Sequence, residues 1–314
     1  MRRRSASLAL GLSAPLLAWA CTSQSTSTST SASTSGKPTP TPTAGWQSFA
    51  ASGSNGLRAV RMLGPTTGYI VGANGTVLAY DGSNWNAMTS GTTANLNAVD
   101  SLSTGEALAA GDGGVILHYT GNWGAPSSPV TAHLRGIRFV SVNDAWACGD
   151  SGVLARLIAG SWAAVASGVT ANLNGMSDLT SGDGCIVGDA GTAFDWLGTA
   201  WSLASPAVTR NLRASGRTGS SGAFEVGDSG TIVSRTSSSR VPVSSPSGSD
   251  LYGASFLDSN FGFAVGASGT ILRFSNNAWS SDSSPTGNTL RGVSVISSRD
   301  AWAVGDGGVI LHYH

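Results

Sequence analysis

Short apolar runs separated by small polar turns fill the chain from residue 45 to residue 314. The end of the chain shows the pattern clearly: Leu290–Val293, Asp300–Val304 and Val309–Tyr313 are such runs, and Gly-Asp-Gly-Gly separates the last two. Short runs rich in Val, Ile, Trp and Tyr, bounded by Gly, Asp or Ser, are typical of β-strands and turns. No segment keeps an apolar period of 3.6 residues, so the pattern predicts an all-β domain.

The pattern is a repeat of one unit. A Gly-x-x-Gly element and a leucine that precedes it each occur seven times, at intervals of 38 or 39 residues. The first glycines of the element are Gly72, Gly111, Gly149, Gly188, Gly227, Gly266 and Gly305. The leucines are Leu57, Leu96, Leu134, Leu173, Leu212, Leu251 and Leu290. A period this regular means that one supersecondary unit packs against copies of itself.

Each unit contains four predicted strands, and the fourth begins at a tryptophan in most units. These tryptophans are Trp85, Trp123, Trp162, Trp201 and Trp279, and Arg240 stands at the same place in the fifth unit. Two places after each leading leucine the residue is always Ala or Gly, as expected where seven innermost strands crowd around one axis. Three places before each first glycine the residue is bulky, except for Cys185 in the fourth unit. We therefore expect sheets that are apolar on both faces and form a seven-bladed β-propeller with four-stranded blades.

The two ends of the repeat region complement each other. The last unit stops at His314, after its third strand, and Trp46 lies 39 residues before Trp85. The segment around Trp46 is therefore expected to supply the missing outer strand and to close the ring. One propeller domain spanning residues 45–314 follows from this arrangement.

The first 44 residues are predicted to be an export signal followed by a tether. Three arginines precede an apolar run in residues 1–21, and Ala-Trp-Ala-Cys ends that run at Cys21. This ending resembles a bacterial lipobox, although Ala18 stands where leucine is usual, and it implies lipidation of Cys21. The alternative is an ordinary signal peptide cut near Ala20. Residues 22–44, nearly all Ser, Thr and Pro, are predicted to be a disordered tether.

Charge and cysteine content narrow the range of partners. Removing residues 1–21 leaves 14 basic and 17 acidic residues, and no basic run is present, so nucleic acid is not an expected partner. We expect no cofactor, a monomeric propeller, and contact with the membrane through the lipid anchor only. The other two cysteines, Cys148 and Cys185, are expected to be buried free thiols, because their repeat positions do not face each other across one gap between blades.

The last unit carries the sequence Leu-Arg-Gly-Val followed by Asp-Ala-Trp-Ala-Val-Gly-Asp-Gly-Gly-Val-Ile-Leu-His-Tyr. This pattern resembles the photosystem II stability and assembly factor family and its bacterial relatives, and the likeness covers residues 45–314. The resemblance implies a seven-bladed propeller with BNR-like repeats, no enzymatic activity, and assembly of membrane complexes through an arginine patch. The Asp-box of BNR repeats is present here only as a remnant at Tyr80–Trp85.

Two sets of charged residues fall on the same predicted face of the propeller. Aspartates follow the first glycine in five units: Asp112, Asp150, Asp189, Asp228 and Asp306. Arginines follow the leading leucine in four units: Arg58, Arg135, Arg213 and Arg291. One interpretation is a polar ring at the channel mouth that binds an acidic or peptide partner. The other is that aspartate suits turns flanked by glycine and that the arginines pair with these aspartates.

Metal binding and catalysis have little support in the sequence. His118 and His312 occupy the same repeat position in different units, so they are not expected to share an ion. His312 and His314 form a His-x-His pair, which we interpret as a strand residue and a chain end. The glutamates, Glu106 and Glu225, lie in different units without the paired partner that glycoside hydrolysis needs.

These observations favour a non-enzymatic scaffold or assembly factor whose partner is an envelope or membrane protein. A surface adhesin or glycan-binding module is the alternative, and a propeller hydrolase or lyase ranks last. Because Thr22, rather than aspartate, follows Cys21, the bacterial sorting rule favours the outer membrane over the inner membrane.

Overall fold

The computed structural model describes residues 44–50, 53–220 and 222–314. The predicted signal peptide, the Cys21 lipidation site and the tether up to residue 43 lie outside the described residues. Within the described part, no helix is long and apolar enough to cross a membrane.

The described residues contain twenty-eight strands. The chain opens with β1 (Trp46–Phe49). Blade 1 contains β2 (Leu57–Gly64), β3 (Thr67–Gly72), β4 (Val77–Tyr80) and β5 (Trp85–Met88). Blade 2 contains β6 (Leu96–Ser103), β7 (Glu106–Gly111), β8 (Ile116–Tyr119) and β9 (Trp123–Gly124). Blade 3 contains β10 (Leu134–Ser141), β11 (Asp144–Gly149), β12 (Leu154–Ile158) and β13 (Ser161–Val165).

The remaining blades repeat this order. Blade 4 contains β14 (Leu173–Met176), β15 (Cys185–Gly188), β16 (Ala193–Trp196) and β17 (Trp201–Leu203). Blade 5 contains β18 (Leu212–Arg217), β19 (Ala223–Gly227), β20 (Ile232–Arg235) and β21 (Arg240–Val243). Blade 6 contains β22 (Leu251–Asp258), β23 (Phe261–Gly266), β24 (Ile271–Ser275) and β25 (Ala278–Asp282). Blade 7 contains β26 (Leu290–Ser297), β27 (Asp300–Gly305) and β28 (Ile310–Tyr313).

Each blade is an antiparallel sheet whose strands follow chain order from the axis to the rim, and the seven sheets form a ring. Blade 7 takes its outermost strand from the start of the domain. Strand β1 pairs with β28 with Trp46 opposite Tyr313, and the Gly45 amide donates to the His314 carbonyl at 3.0 Å. The predicted seven-bladed propeller closed by an N-terminal strand is confirmed.

The turn between the second and third strands of each blade explains the Gly-x-x-Gly element. It is a 3₁₀ turn whose middle residue adopts a left-handed conformation, as Asn74 does with φ of 54°. The next residue is always glycine. Gly75 has φ of 66°, and a Cβ atom there would lie 1.9 Å from the Thr92 carbonyl oxygen. Only glycine combines that backbone conformation with so close an approach of the neighbouring loop.

Small residues are required where the innermost strands approach the axis. A Cβ atom on Gly292 would lie 3.0 Å from the Cα of Ala59 in the next blade, and one on Gly175 would lie 2.6 Å from the Arg213 carbonyl oxygen. The predicted role of the Ala and Gly positions two places after each leucine is therefore confirmed.

Aromatic clusters fill most gaps between blades. We call the residue three places before each first glycine the interface residue, because it packs against the third and fourth strands of the next blade. Trp302 of blade 7 packs on Tyr80 and Trp85 of blade 1, with ring centroids 4.9 and 5.4 Å apart. Aromatic pairs at such distances add about 0.5–1.5 kcal/mol beyond the burial of their area.

The gap between blades 4 and 5 departs from this pattern. Its interface residue is Cys185, and the two facing positions hold Arg235 and Arg240 in place of aromatic residues. Arg240 pairs with Glu225 at 2.9 Å and with Asp195 at 2.8 Å, and the Glu225 side chain is fully buried. The expectation of apolar faces on every sheet is therefore wrong at this gap, where buried charges neutralise one another instead.

Both cysteines of the propeller are free and buried, as predicted. Burial raises the pKa of the Cys148 thiol to about 12 and that of Cys185 to about 11. Both side chains are therefore protonated thiols at neutral pH and serve as small packing residues.

Replacement of Trp46 by alanine tests the closure of the ring. Trp46 is 7% exposed and packs on Phe263 at 5.0 Å and on Tyr313 at 5.4 Å. Because the change removes a large buried aromatic from the closing strand, we expect a loss of about 3 kcal/mol in the free energy of unfolding, measured by denaturant titration. The exposed neighbour Gln47→Ala is the control. Equal stability of the two variants would contradict the closure.

Candidate functional site

The channel mouth is lined by the residue that directly follows each leading leucine. We call the hollow there, of about 420 Å³, the mouth; its lining also includes Asp112, His133 and Asp306. The seven residues that surround it, one from each blade, are Arg58, Asn97, Arg135, Asn174, Arg213, Tyr252 and Arg291. The structure thus brings the four predicted arginines together on one face.

A repeated β-bulge turns these side chains toward the axis. In blade 1, Leu57 pairs with Gly72 and Ala59 pairs with Val71, so Arg58 is left over between the two pairs. The same irregularity follows the leading leucine in every blade. A bulge re-aims a side chain out of the regular alternation of a strand. The residue after each leucine is therefore free to be polar while its neighbours remain in the core.

Three of the arginines pair with the aspartate of their own blade. Arg213 donates to Asp228 through two nitrogens at 2.7 and 2.9 Å. Arg291 holds Asp306 in the same two-bond manner, and Arg135 contacts Asp150. The hydrogen bond from Arg213 lowers the pKa of Asp228 below its usual value.

This pairing orients the guanidinium groups. Asp150 and Asp228 are not part of the mouth lining, although their arginines are, so these two aspartates support the arginines from behind. The two interpretations of the charged residues are therefore compatible, because a guanidinium has five N–H donors and a paired carboxylate occupies only some of them.

Arg58 differs from the other three arginines. Ala73 stands where its aspartate would be, and among the described residues no carboxylate lies within 4.0 Å of it. Its Nη1 donates to the amide oxygen of Asn97 in the next blade. Arg58 is therefore the arginine of the mouth that forms no direct ion pair within the described chain, and it interacts with Asp112 only at longer range.

The other two aspartates are held by asparagines. Asn97 and Asn95 donate to Asp112 at 2.9 and 2.7 Å, and His133 lies 3.3 Å from it. Burial raises the pKa of Asp112, but these amide donors and His133 outweigh burial, and the net shift is downward. Asp189 accepts from Asn172 and Asn174 in the same way, at 2.9 and 2.8 Å. The charged form of Asp112 is therefore favoured.

Ion pairs close the channel below the mouth. Arg61 of blade 1 reaches Asp178 of blade 4 at 2.9 Å and also contacts Asp100 at 3.1 Å. Arg138 of blade 3 contacts the same Asp178 at 3.2 Å. The cavities along the channel decrease from about 420 Å³ at the mouth to about 110 Å³ and then to about 30 Å³ among these ion pairs. The ion pairs that cross the channel therefore obstruct it below the mouth.

Sequence reasoning missed this closure. The available signal was that Arg61, Asp100 and Arg138 all stand four places after their leading leucines. Their partner, Asp178, stands five places after Leu173, in the blade across the ring from Arg61. A repeat period does not reveal a contact across the axis.

The histidines and glutamates lie outside the mouth, except His133. His118 pairs with Glu106 at 2.5 Å, and His312 pairs with Asp300 at 2.9 Å. Glu225 is held by Arg240 between blades 4 and 5. Within the described ranges, no group of three or more potential metal ligands comes together.

No protein-family model matches the chain, and no curated protein matches it in sequence. Several solved propellers share its fold. YCF48 bound to a D1 peptide has a TM-score of 0.72 and 18% identity, over 85% of this chain and 96% of that chain. YCF48 from Cyanidioschyzon merolae has a TM-score of 0.71 and 19% identity, over 86% of this chain and 99% of that chain. The WD40 propeller domain of Doa1 has a TM-score of 0.71 and 13% identity, over 87% of this chain and 97% of that chain. At these identities the likeness shows the fold.

Acid titration of Asp178→Asn tests the closure of the channel. Burial alone would raise the pKa of Asp178, but Arg61 and Arg138 outweigh it and lower the pKa from 3.8 to about 2. The folded state therefore gains stability from this carboxylate above pH 4 and loses it as the pH falls toward 2. Because 45% of the side chain is exposed, solvent screening reduces this gain to about 1 kcal/mol.

The free energy of unfolding of the wild-type protein should therefore fall more steeply between pH 5 and pH 2 than that of Asp178→Asn. Denaturant titrations at several pH values measure the two slopes. Identical slopes would mean that the ion pairs across the channel contribute nothing.

Proposed function

We propose that this protein is a non-enzymatic binding scaffold or assembly factor that holds a peptide segment of a protein partner in the mouth of the propeller. The observation that supports this most is the set of four guanidinium groups that line one hollow of about 420 Å³. The likeness to YCF48 bound to a D1 peptide adds support, because a protein of the same fold binds a peptide.

The chemistry of the mouth suits carboxylate groups. Guanidinium groups recognise carboxylates through two parallel hydrogen bonds, and such charge-assisted bonds are about twice as strong as neutral ones. Arg213 and Arg291 are held in place by aspartates. These side chains therefore lose less conformational entropy when a ligand binds. Because the channel is closed below, the ligand enters from one side, as a chain end or a tight loop.

Arg58 is the preferred contact for the acidic group of the ligand. The other arginines are in direct contact with an aspartate, whereas the hydrogen-bond partner of Arg58 is the neutral amide of Asn97 and its interaction with Asp112 is at longer range. A ligand carboxylate at Arg58 would therefore gain the most from charge neutralisation. Asn174 would contribute its amide oxygen, unpartnered within the described chain, as an acceptor for a ligand N–H, because its amide hydrogens are donated to Asp189 and to the Leu212 carbonyl.

The competing functions have less support. A glycan-binding site commonly offers aromatic faces, and Tyr252 is the one aromatic residue in the lining of the mouth. A hydrolase or lyase would need free acidic groups at the mouth. Glu106 and Glu225 are instead held by His118 and Arg240 away from it.

The proposed location is the bacterial envelope, preferably the outer membrane, through a lipid on Cys21. The chain enters the propeller at Gly45, beside His314 at the end of the third strand of blade 7. This end of the strand is opposite to the mouth. The proposed partner is an envelope or membrane protein.

Peptide selection followed by mutation of Arg58 tests the proposed function. Peptides selected from a random library for binding to the full-length protein should be rich in Asp and Glu or should bind through a free C-terminal carboxylate. Arg58→Ala should weaken the best peptide about tenfold, because it removes one charge-assisted contact, without a change in melting temperature. The control is Arg299→Ala, an exposed arginine in the loop between β26 and β27 on the opposite face.

Fluorescence anisotropy measures the affinities, and the quadruple variant of Arg58, Arg135, Arg213 and Arg291 to alanine should remove binding. The proposed function would be wrong if the selected peptides bound the quadruple variant as tightly as the wild type.

Cys21→Ser tests the proposed location. The substitution removes the thiol that would carry the lipid, so the protein should move from the membrane fraction to the soluble fraction of the envelope. Mass spectrometry of the wild-type protein should show the mass of the added lipid at Cys21. Membrane retention of the variant would remove the proposed anchor and would leave the proposal for the mouth unaffected.

A further inference from the structure

In blades 3 and 7, a planar polar side chain from the third strand, the covering residue, stacks on an aromatic interface residue. In blade 3 the guanidinium of Arg156 lies 5.0 Å from the ring centre of Trp146 and 5.6 Å from that of Trp196 in blade 4. In blade 7 the ring of His312 stacks on Trp302 at 4.0 Å, with the planes 13° apart. In both blades the covering residue stands directly opposite the interface residue in the strand pairing.

The covering residues are also held by an acid of their own blade. Arg156 donates to both oxygens of Asp144, at 2.9 and 2.8 Å, and His312 lies 2.9 Å from Asp300. Each aromatic face is therefore covered by a group that the chain itself fixes in place.

Blade 5 lacks both parts of this arrangement. Ser234 stands opposite the interface residue Phe224, and Gly222 stands where the acid would be. A groove of about 540 Å³ opens there, between blades 5 and 6 at the outer side of the ring. We call it the rim groove; its lining residues include Phe224, Phe274, Trp279, Ser234, Ser245 and Asn277.

The aromatic walls of the rim groove match those around Arg156. Phe224 corresponds to Trp146 in the repeat, and Phe274 corresponds to Trp196. The centroids of Phe224 and Phe274 lie 4.7 Å apart, and Trp279 closes the cluster at 5.3 Å from Phe224. The rim groove is thus the place that Arg156 fills in blade 3, left unfilled by the short side chain of Ser234.

We propose that the rim groove is a second binding site, which takes an arginine side chain of a protein partner. The inserted guanidinium would lie over Phe224 and Phe274 as Arg156 lies over Trp146 and Trp196, through cation–π attraction. The hydroxyl and amide oxygens of Ser245 and Asn277 in the lining are acceptors for its N–H groups.

The charge of the propeller supports a cationic ligand. Residues 45–314 contain 13 arginines, no lysine and 17 acidic residues, so the domain attracts positive groups. A neutral group, such as a sugar ring, would gain the contact with the aromatic faces but not this attraction. The rim groove shares no lining residue with the mouth, so the two sites are independent.

A titration with small probes tests this site on the full chain. The probe is N-acetyl-arginine N-methylamide, and the signal is the indole N–H of Trp279 in a nitrogen–proton NMR spectrum, assigned with Trp279→Phe. The arginine probe should shift this signal with a dissociation constant on the order of 1 mM. The citrulline analogue, which is planar and neutral, should bind at least several-fold more weakly, and methyl glucoside should leave the signal unchanged.

Two variants that fill the rim groove complete the test. Ser234→Arg supplies the covering side chain from the chain itself, and Ser234→Gln fills the space without charge, so both should abolish the shift. Ser280→Arg, on the neighbouring outer strand, adds the same charge outside the lining and should preserve it. Equal binding of citrulline, binding of the glucoside alone, or no shift with the arginine probe would each overturn the proposal.

Discussion

The packing of seven sheets around one axis is the constraint on which the rest of the structure depends. At the axis, neighbouring backbones approach so closely that a Cβ atom on Gly175 would lie 2.6 Å from the Arg213 carbonyl oxygen. Farther out, the gaps widen and require large side chains such as Trp302. Each repeat therefore has a small residue near the axis, and every repeat except blade 4, which has Cys185, has a bulky one farther out.

The same constraint places the polar groups. Strands that are buried on both faces leave few positions for charge, and the bulge after each leading leucine is one of them. Arg58 and its equivalents occupy that position, so these polar side chains lie together at one end of the propeller axis. The gap between blades 4 and 5 is the costly exception, because Arg235 and Arg240 are buried there. Removal of one partner from such a cluster leaves an uncompensated charge, whereas the complete cluster is balanced.

Much of this arrangement was predictable from the sequence, because each residue of a repeat can be compared with the residues at the same position in the other six units. The fold, the closing strand and the shared face of the arginines all follow from positions that recur. The contact between Arg61 and Asp178 was not predictable, because it joins blades across the ring and depends on the channel width. The ion pair between Arg213 and Asp228 was also not predictable with certainty. The sequence allowed either arginines that are free to bind a partner or arginines that pair with the aspartates. The rim groove depends on the short side chain of Ser234, and a sequence search for chemically reactive or charged residues does not detect it.

Hydrogen exchange of the full chain, with and without a bound peptide selected on it, tests the central claim most directly. The account predicts slower exchange at the mouth: in the 3₁₀ turns, such as Asp112–Gly114, and at the start of innermost strands, such as Arg58 and Ala59. Exchange at the opposite ends of the blades, for example at Ser83 and Asn84 in the turn between β4 and β5, should remain unchanged. Protection confined to those opposite ends would contradict the claim that the mouth is the binding face.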